Sequence, residues 1–291
     1  MTRIIGLVGY PLKHSLSPGF QQAAFDHYQL DIRYETWETP PERLPSVVSQ
    51  LKQSKVIGAN VTVPYKENVL SFMDEVDDMA SVIGAVNTIV NRHGKLEGYN
   101  TDAQGFLQSL HEERKFDPEG KRAVILGAGG AARAVAFALL REKAGSLVIA
   151  NRTMERAEVL VNSLRKHLGR TGKTSEIRSL PWQSSQLHEA ARDSQLIVNC
   201  TTVGMRYSPY EGQSPMTADW IPQNALVYDL VYNPPETPLL REAKKADAST
   251  LNGLSMLVYQ GGASFECWTG RQAPLDIMFS AVQLDLSQNR R

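Results

Sequence analysis

Apolar and polar positions follow two recurring patterns along the chain. Short apolar runs of β type, Ile4 to Val8, Ile32 to Trp37, Ile57 to Val63 and Val86 to Val90, alternate with stretches of helical spacing in the first hundred residues. Pro18 suits a helix start, and Phe20, Ala23, Ala24, His27 and Tyr28 then share one face at i, i+3, i+4, i+7 and i+8. Pro41 to Lys52 reads as a second helix, Pro64 stops the third strand, and Arg92-His93-Gly94 reads as a turn. Such alternation predicts a largely parallel sheet covered by helices.

A second series begins near Lys121. Ala123 to Leu126 is a β run that ends in Gly127-Ala128-Gly129-Gly130-Ala131-Ala132. A helix follows, with Ala132, Val135, Ala136, Leu139 and Leu140 on one face. Leu147 to Ala150, Leu196 to Asn199 and Leu226 to Leu230 read as further strands, and Glu155 to His167 as a helix. Residues 169–175 and 206–216 are rich in Gly, Ser, Thr and Pro and read as loops. From Gly253 the pattern is helical to the end. The expectation is two α/β domains, one of residues 1–103 with 252–291 and one of 104–251, the final helices packing back on the first. A length of 291 residues agrees, at about 150 per domain.

Composition removes several classes of function. Lys plus Arg total 31 and Asp plus Glu total 31, so net charge exerts no general pull on nucleic acid or anionic lipid. With 42% hydrophobic residues the chain is not a disordered one. No window holds the ~20 apolar residues of a membrane span, and the apolar start is too short for a signal-peptide core. Cys200 and Cys267 are too few for a disulfide framework and are expected as buried apolar residues. The six histidines offer no ligand pair, so no metal is expected, and His14 reads as structural. The expected setting is cytoplasmic.

Gly127-x-Gly129-x-x-Ala132 follows a strand and opens a helix, which is the context a dinucleotide-binding fingerprint requires. The first glycine permits the turn, the second lets the backbone of Ala128 to Ala131 approach a pyrophosphate, and the helix start favours an anion. After the next strand, where an NAD enzyme usually carries an acid, stand Asn151-Arg152-Thr153, with Arg156 one turn on. Two guanidiniums and a hydroxyl suit a 2′-phosphate, so NADP(H) is the expected cofactor. A pair of solvated arginines is the alternative.

Other polar residues are ambiguous singly. Ser15 and Ser17 stand at a strand–helix junction, fit either for a carboxylate or for helix capping by Ser17. Thr62, Asn87 and Gln260 suit ring hydroxyls or, equally, turns and strand ends. Lys66 reads as a proton donor or a solvated residue, and Asp102 as its partner or a helix cap.

Taken in order, the blocks Gly9-x-Pro11-x-x-His14-Ser15-x-Ser17-Pro18, Asn60-Val61-Thr62-Val63-Pro64-Tyr65-Lys66, Gly84-Ala85-Val86-Asn87-Thr88, Gly98-x-Asn100-Thr101-Asp102-x-x-Gly105, Asn151-Arg152-Thr153, Asn199-Cys200-Thr201-Thr202-Val203-Gly204-Met205 and Gly253-x-x-Met256-Leu257-x-x-Gln260 resemble the shikimate dehydrogenase family, from about residue 5 to residue 265. The resemblance implies an open α/β substrate domain, a Rossmann NADP domain, a catalytic cleft between them, and reduction of 3-dehydroshikimate. It implies that Lys66 and Asp102 carry the chemistry and that Ser15 and Ser17 hold the substrate carboxylate. It puts Thr62, Asn87, Asp102 and Gln260 on the substrate hydroxyls, with Tyr232 also on the substrate side. Thr201, Met205, Leu230 and Gly253 match cofactor-side positions. Asn60 belongs to a matching block, and Asp78 matches an acidic cleft residue or is a solvated helix charge. Gln21-Gln22 depart from the family's usual His-Asn or His-Gln, and Tyr65 replaces its commoner Phe. A quinate or dual quinate/shikimate dehydrogenase and a non-catalytic ligand sensor on the same fold are the alternatives. The small-molecule substrate is the expected partner, with a homodimer left open.

Overall fold

The computed structural model describes residues 2–12, 15–171, 175–182 and 184–288. The expectation for His14 lies outside the described residues. In chain order the elements are β1 (Arg3–Gly9), α1 (Ser17–His27), β2 (Ile32–Glu38), α2 (Leu44–Gln50), β3 (Val56–Val61), β4 (Glu75–Val76), α3 (Asp78–Ile83), β5 (Thr88–Arg92), β6 (Lys95–Tyr99) and α4 (Asp102–Arg114). There follow β7 (Arg122–Leu126), α5 (Gly130–Arg141), β8 (Ser146–Asn151), α6 (Met154–Thr171), β9 (Glu176–Pro181), α7 (Ser185–Arg192), β10 (Leu196–Asn199), β11 (Leu226–Asp229), α8 (Pro238–Lys245), β12 (Ser249–Asn252), α9 (Leu254–Thr269) and α10 (Leu275–Gln288). The chain divides into two compact units, residues 1–105 with 257–291 and residues 106–256.

The first unit holds a six-stranded sheet in the order β2-β1-β3-β5-β6-β4. It is mixed rather than largely parallel. Strand β1 pairs parallel with β2 and β3, but β5 runs antiparallel to β3 and β6. For β5 and β6 the local reason is the turn between them: His93 and Gly94 have φ of 55° and 91°, and Asn91 Oδ1 accepts from Gly94 N at 2.7 Å. A two-residue turn with positive φ at both positions returns the chain beside itself, which a parallel partner does not allow. Val8, Ala59, Val61, Ile89 and Leu96 pack one face of this sheet against Val47, Val48 and Leu51 of the α2 region.

Helix α1 buries Ser17, Phe20, Gln21, Ala24 and Phe25, whereas His27 is exposed. The buried face is therefore rotated from the expected Phe20–Ala23–Ala24–His27–Tyr28 stripe. Contacts with α9 explain it: Phe25 stacks on Phe265 at 5.4 Å between centroids, and Gln21 Nε2 donates to Gly261 O at 2.9 Å. Pro41 to Arg43 form a 3₁₀ turn before α2, so the expected single helix is two pieces.

The second unit holds an all-parallel sheet in the order β12-β11-β10-β7-β8-β9. Reversed, this is 3-2-1-4-5-6 counted from β7, the doubly wound order with its switch point between β7 and β10. Helix α5 is buried on nearly every side, from Ala134 to Leu140. Helix α6 continues through Gly169 and Arg170, which had read as loop, because its apolar stripe Leu160, Val161, Leu164 and Leu168 extends to that turn. Residues 206–216 carry no helix or strand.

Candidate functional site

The antiparallel register of the first sheet assembles a polar cluster. Asn60 at the end of β3 lies opposite Thr88 at the start of β5, and Asn87 N donates to Tyr99 O at 3.0 Å. This sets Asn87 beside the residues that follow β6. Asn87 Nδ2 donates to Asp102 Oδ1 at 2.9 Å, Thr101 Oγ1 at 2.8 Å and Gln260 Oε1 at 3.2 Å, while Asn87 Oδ1 accepts from Thr101 N at 2.8 Å. Asn60 Nδ2 donates to Asn87 O at 3.2 Å and Ser264 Oγ at 3.0 Å, and Asn60 Oδ1 accepts from Tyr34 at 2.7 Å. Burial pushes the Tyr34 phenol well above its ordinary pKa, so it stays a donor.

Lys66 and Asp102 meet here. Lys66 Nζ lies 2.7 Å from Asp102 Oδ2, with side chains 18% and 4% exposed. Tyr65, buried and donating to Thr39 O at 2.5 Å, anchors the turn after β3, and Val86 N donates to Lys66 O at 2.7 Å. Lys66 is thus a partly buried, paired cation and not a solvated one. Asp102 does not cap its own helix. Asn100 Oδ1 does so, accepting from Asp102 N at 3.1 Å and Ala103 N at 3.4 Å. That leaves the Asp102 carboxylate for Lys66 and Asn87.

Gln260 reaches the cluster from α9 because Gly105 lets α4 approach closely. A Cβ on Gly105 would fall 2.6 Å from Gln260 N and 2.7 Å from its Cβ. At the start of α1, Ser15 Oγ accepts from Ser17 N at 3.3 Å, and the position preceding the helix, Leu16, makes no side-chain cap. Ser17 lies inside the helix, so the capping alternative for it falls. Thr62 follows β3, half-buried, with its N–H donating to Val8 O at 2.9 Å. Asp78 is exposed in the first turn of α3, where Asp77 supplies the cap. Tyr232 lies in the second unit, after β11.

In the second unit, Gly127 has φ of +112° and donates to Ala150 O at 2.7 Å, which turns the chain off β7. Gly129 precedes α5 without a side-chain cap, and a Cβ there would meet nothing within 4 Å. Open space beside uncapped N–H groups of Gly130 and Ala131 fits a pyrophosphate. Asn151 Nδ2 donates to Thr153 O at 2.8 Å, and Arg152 and Arg156 are exposed beyond β8, with no acidic side chain between them except Glu155. These donors fit a dinucleotide carrying a 2′-phosphate. A cavity of about 180 Å³ lies there, lined by Asn151, Arg152, Trp182, Cys200, Thr201 and Tyr210 among others. Trp182 and Tyr210 were not singled out from the sequence. Neither sits in a motif, and only the folded loops bring them to Arg152.

Thr201 is held by Asn199, whose Oδ1 accepts from Thr201 Oγ1 at 2.7 Å, and Asn199 Nδ2 donates to Asp229 Oδ1 at 2.9 Å. Asp229 also accepts from Thr237 Oγ1 at 2.6 Å and Val231 N at 3.1 Å. Burial outweighs these bonds and pushes its carboxyl up to about 6. Met205 and Leu230 are half-buried, and buried Gly253 donates to Val231 O at 3.2 Å. Cys200 and Cys267 are half-buried and not fully enclosed as expected, Cys200 because it faces the cavity. Among the described residues no three His, Cys, Asp or Glu side chains are grouped to hold a metal, and no helix is long and apolar enough to cross a membrane.

Comparison with known proteins adds three family matches. The shikimate dehydrogenase substrate binding domain matches residues 7–89, the shikimate / quinate 5-dehydrogenase family residues 110–219, and the shikimate 5′-dehydrogenase C-terminal domain residues 253–283. A relative from Methanopyrus kandleri named shikimate dehydrogenase (NADP(+)) is 47% identical over 97% of this chain and 95% of its own. One of the same name from Moorella thermoacetica is 46% identical over 95% of this chain and 91% of its own. The solved shikimate 5-dehydrogenase of Thermus thermophilus, in complex with NADP(H) and shikimate, superposes with a TM-score of 0.84 at 36% identity, covering 97% of this chain and 99% of its own. With identity of this order along nearly the whole chain, the protein belongs to the shikimate dehydrogenase family.

Proposed function

We propose that this protein catalyses the reversible NADPH-dependent reduction of 3-dehydroshikimate to shikimate, a cytoplasmic step of aromatic amino-acid biosynthesis. The observation that carries the reading is the Lys66–Asp102 pair, 2.7 Å apart and largely withdrawn from water, in the unit that lacks the phosphate loop. The names of the relatives support it.

Bound NADPH supplies the hydride. Reduction leaves negative charge on the former carbonyl oxygen, and a proton must reach that oxygen. Lys66 Nζ carries three hydrogens; one is committed to Asp102 and another is free to go to substrate. Asp102 fixes the ammonium and offsets its charge, and Asn87 fixes Asp102 from its other oxygen. Thr62, Asn87 and Gln260 take the ring hydroxyls. Ser15 and Ser17 take the carboxylate at the start of α1, where helix N–H groups favour an anion. Asn60 acts by holding the Asn87 carbonyl.

In the second unit, Gly127, Ala128, Gly129, Gly130 and Ala131 hold the pyrophosphate. Asn151, Arg152, Thr153 and Arg156 hold the 2′-phosphate, and Thr201, Met205, Leu230 and Gly253 hold the rest of the dinucleotide. The test is NADP⁺ reduction by shikimate, run beside quinate and NAD⁺. Fast turnover with shikimate and NADP⁺ is expected. Turnover that favours quinate would reassign the substrate, and no turnover with any pair would leave a ligand sensor. Light scattering against the 32.3 kDa chain mass distinguishes a monomer from a homodimer.

A further inference from the structure

Arg152 follows β8, and Tyr210 lies 58 residues later in the loop between β10 and β11. The two side chains meet twice. Arg152 Nη1 donates to Tyr210 Oη at 2.5 Å, and the guanidinium carbon stands 4.7 Å from the ring centroid. The hydroxyl accepts a charge-assisted bond while the ring face attracts a delocalised cation. An exposed arginine otherwise distributes among many rotamers. Tyr210 holds this one from one side.

Tyr210 is itself fixed. Its carbonyl accepts from Gly204 N at 3.0 Å and Gln213 N at 3.2 Å. Its N–H donates to Ser208 Oγ at 3.1 Å, and that hydroxyl donates to Thr202 O at 3.1 Å. The tyrosine is therefore built on the same loop that presents Thr201. Arg152, Tyr210, Trp182 and Thr201 all line the cavity of about 180 Å³. Its chemistry is a guanidinium, two aromatic rings and hydroxyls, with no carboxylate among the lining residues. That set suits a purine ring and a phosphate and rejects nothing anionic.

We propose that Tyr210 is a positioning residue for cofactor selection: it holds the Arg152 guanidinium at the cavity, so that a 2′-phosphate meets a cation already placed. This rests on the reading that the second unit binds NADP(H). The selection then comes from two parts, the charge on Arg152 and the ordering of that charge by a residue in the 206–216 loop. An arginine at this place with no tyrosine facing it keeps the charge and loses the ordering.

The experiment is calorimetric titration of the full chain with NADP⁺ and with NAD⁺, alongside quenching of tryptophan emission, to which Trp182 in the cavity contributes. The variants are Tyr210→Phe, Tyr210→Ala, Arg152→Ala and the double Tyr210→Ala/Arg152→Ala. Tyr210→Ala is expected to weaken NADP⁺ by about 3- to 10-fold, the scale of an exposed cation–π contact with a charge-assisted bond. NAD⁺ affinity should change by less than about 2-fold, and Tyr210→Phe should show part of the same selective loss. In the Arg152→Ala background, Tyr210→Ala should cost nothing further, because a residue acting through Arg152 has nothing left to act on. Equal losses for both dinucleotides, an undiminished Tyr210 effect without Arg152, or unchanged NADP⁺ affinity in Tyr210→Ala would each overturn the proposal. If Tyr210→Ala does not fold, Tyr210→Phe decides alone, since it keeps the ring and removes the accepting oxygen: a selective loss supports the proposal and none overturns it. A wild-type protein that binds NADP⁺ no more tightly than NAD⁺ would overturn the cofactor reading itself, which is a different result from a selective protein indifferent to Tyr210.

Discussion

Asn87 donates to Oδ1 of Asp102 at 2.9 Å, while Lys66 takes Oδ2 at 2.7 Å, so both carboxylate oxygens are engaged before any substrate arrives. A carboxylate gripped from both sides has little freedom to turn. It holds the lysine ammonium at one place, which is what proton delivery to a single oxygen requires.

Lys66→Ala should therefore lower kcat by about 10²- to 10⁴-fold, the usual worth of general acid–base catalysis, with NADP⁺ and shikimate affinities nearly intact. Asp102→Asn should also be slow and should weaken shikimate, because Asn87 and Lys66 both lose an anionic partner. The double variant should cost less than the product of the two singles if the pair acts as a unit. Steady-state kinetics with binding titrations on each variant decide it. A near-normal kcat in Lys66→Ala removes the lysine from the mechanism.

Replacing Ser15 and Ser17 together by Ala should raise KM for shikimate and leave the NADP⁺ dissociation constant unchanged. Both serines lie at the start of α1 in the first unit, and the phosphate loop lies in the second. Two neutral hydroxyl bonds to a carboxylate correspond to roughly 10- to 100-fold in KM, at about 1 kcal/mol or somewhat more each. A fall in NADP⁺ affinity with KM unchanged would reverse the assignment of the two units.

Gly105→Ala tests the approach of α4 and α9. The new Cβ would sit 2.6 Å from Gln260 N, and because that neighbour is backbone, a helix must shift. Overpacking of this kind costs about 1–3 kcal/mol. Thermal unfolding should register the loss. KM for shikimate should rise as Gln260 moves off Asn87, while NADP⁺ binding stays unchanged. A variant with wild-type Tm and KM would show that the helices absorb a methyl group at no cost.

Stability should carry a pH signature from Asp229. Its carboxyl titrates near 3.8 in the unfolded chain and at about 6 in the folded one, chiefly through burial. Between those values the folded state binds more protons than the unfolded state, so stability falls as pH rises from about 4 to about 6. The scale is about 3 kcal/mol, at about 1.4 kcal/mol per unit. The full cost is present above about pH 6 and absent below about 4. Asp229→Asn keeps an oxygen for Asn199 and Val231 and an amide for Thr237, and should flatten this part of the curve. Urea unfolding of both proteins across the window measures the difference, and parallel slopes would exclude Asp229 as the source.

Part of this molecule is encoded locally and could be read without a fold. The turn after β7, the uncapped start of α5 and the arginine beyond β8 are set by a few consecutive residues each, because a glycine φ and a helix terminus are properties of short segments. The ordered blocks also carried the family. Packing settled the remainder. Asn87 and Lys66 are separated from Asp102 by 15 and 36 positions, and Gln260 stands 173 from Asn87, so their meeting depends on antiparallel register and on Gly105. The inward face of α1 departs from the apolar stripe because Gln21, polar by composition, is buried against the Gly261 carbonyl, and periodicity counts only apolar side chains. Tyr210 and Trp182 left no trace in any motif, since loop residues from distant segments become neighbours only when the loops close on one cavity. Whether Asp102 caps its helix or meets Lys66 turned on Asn100 taking the cap, a choice between two nearby acceptors that only packing resolves.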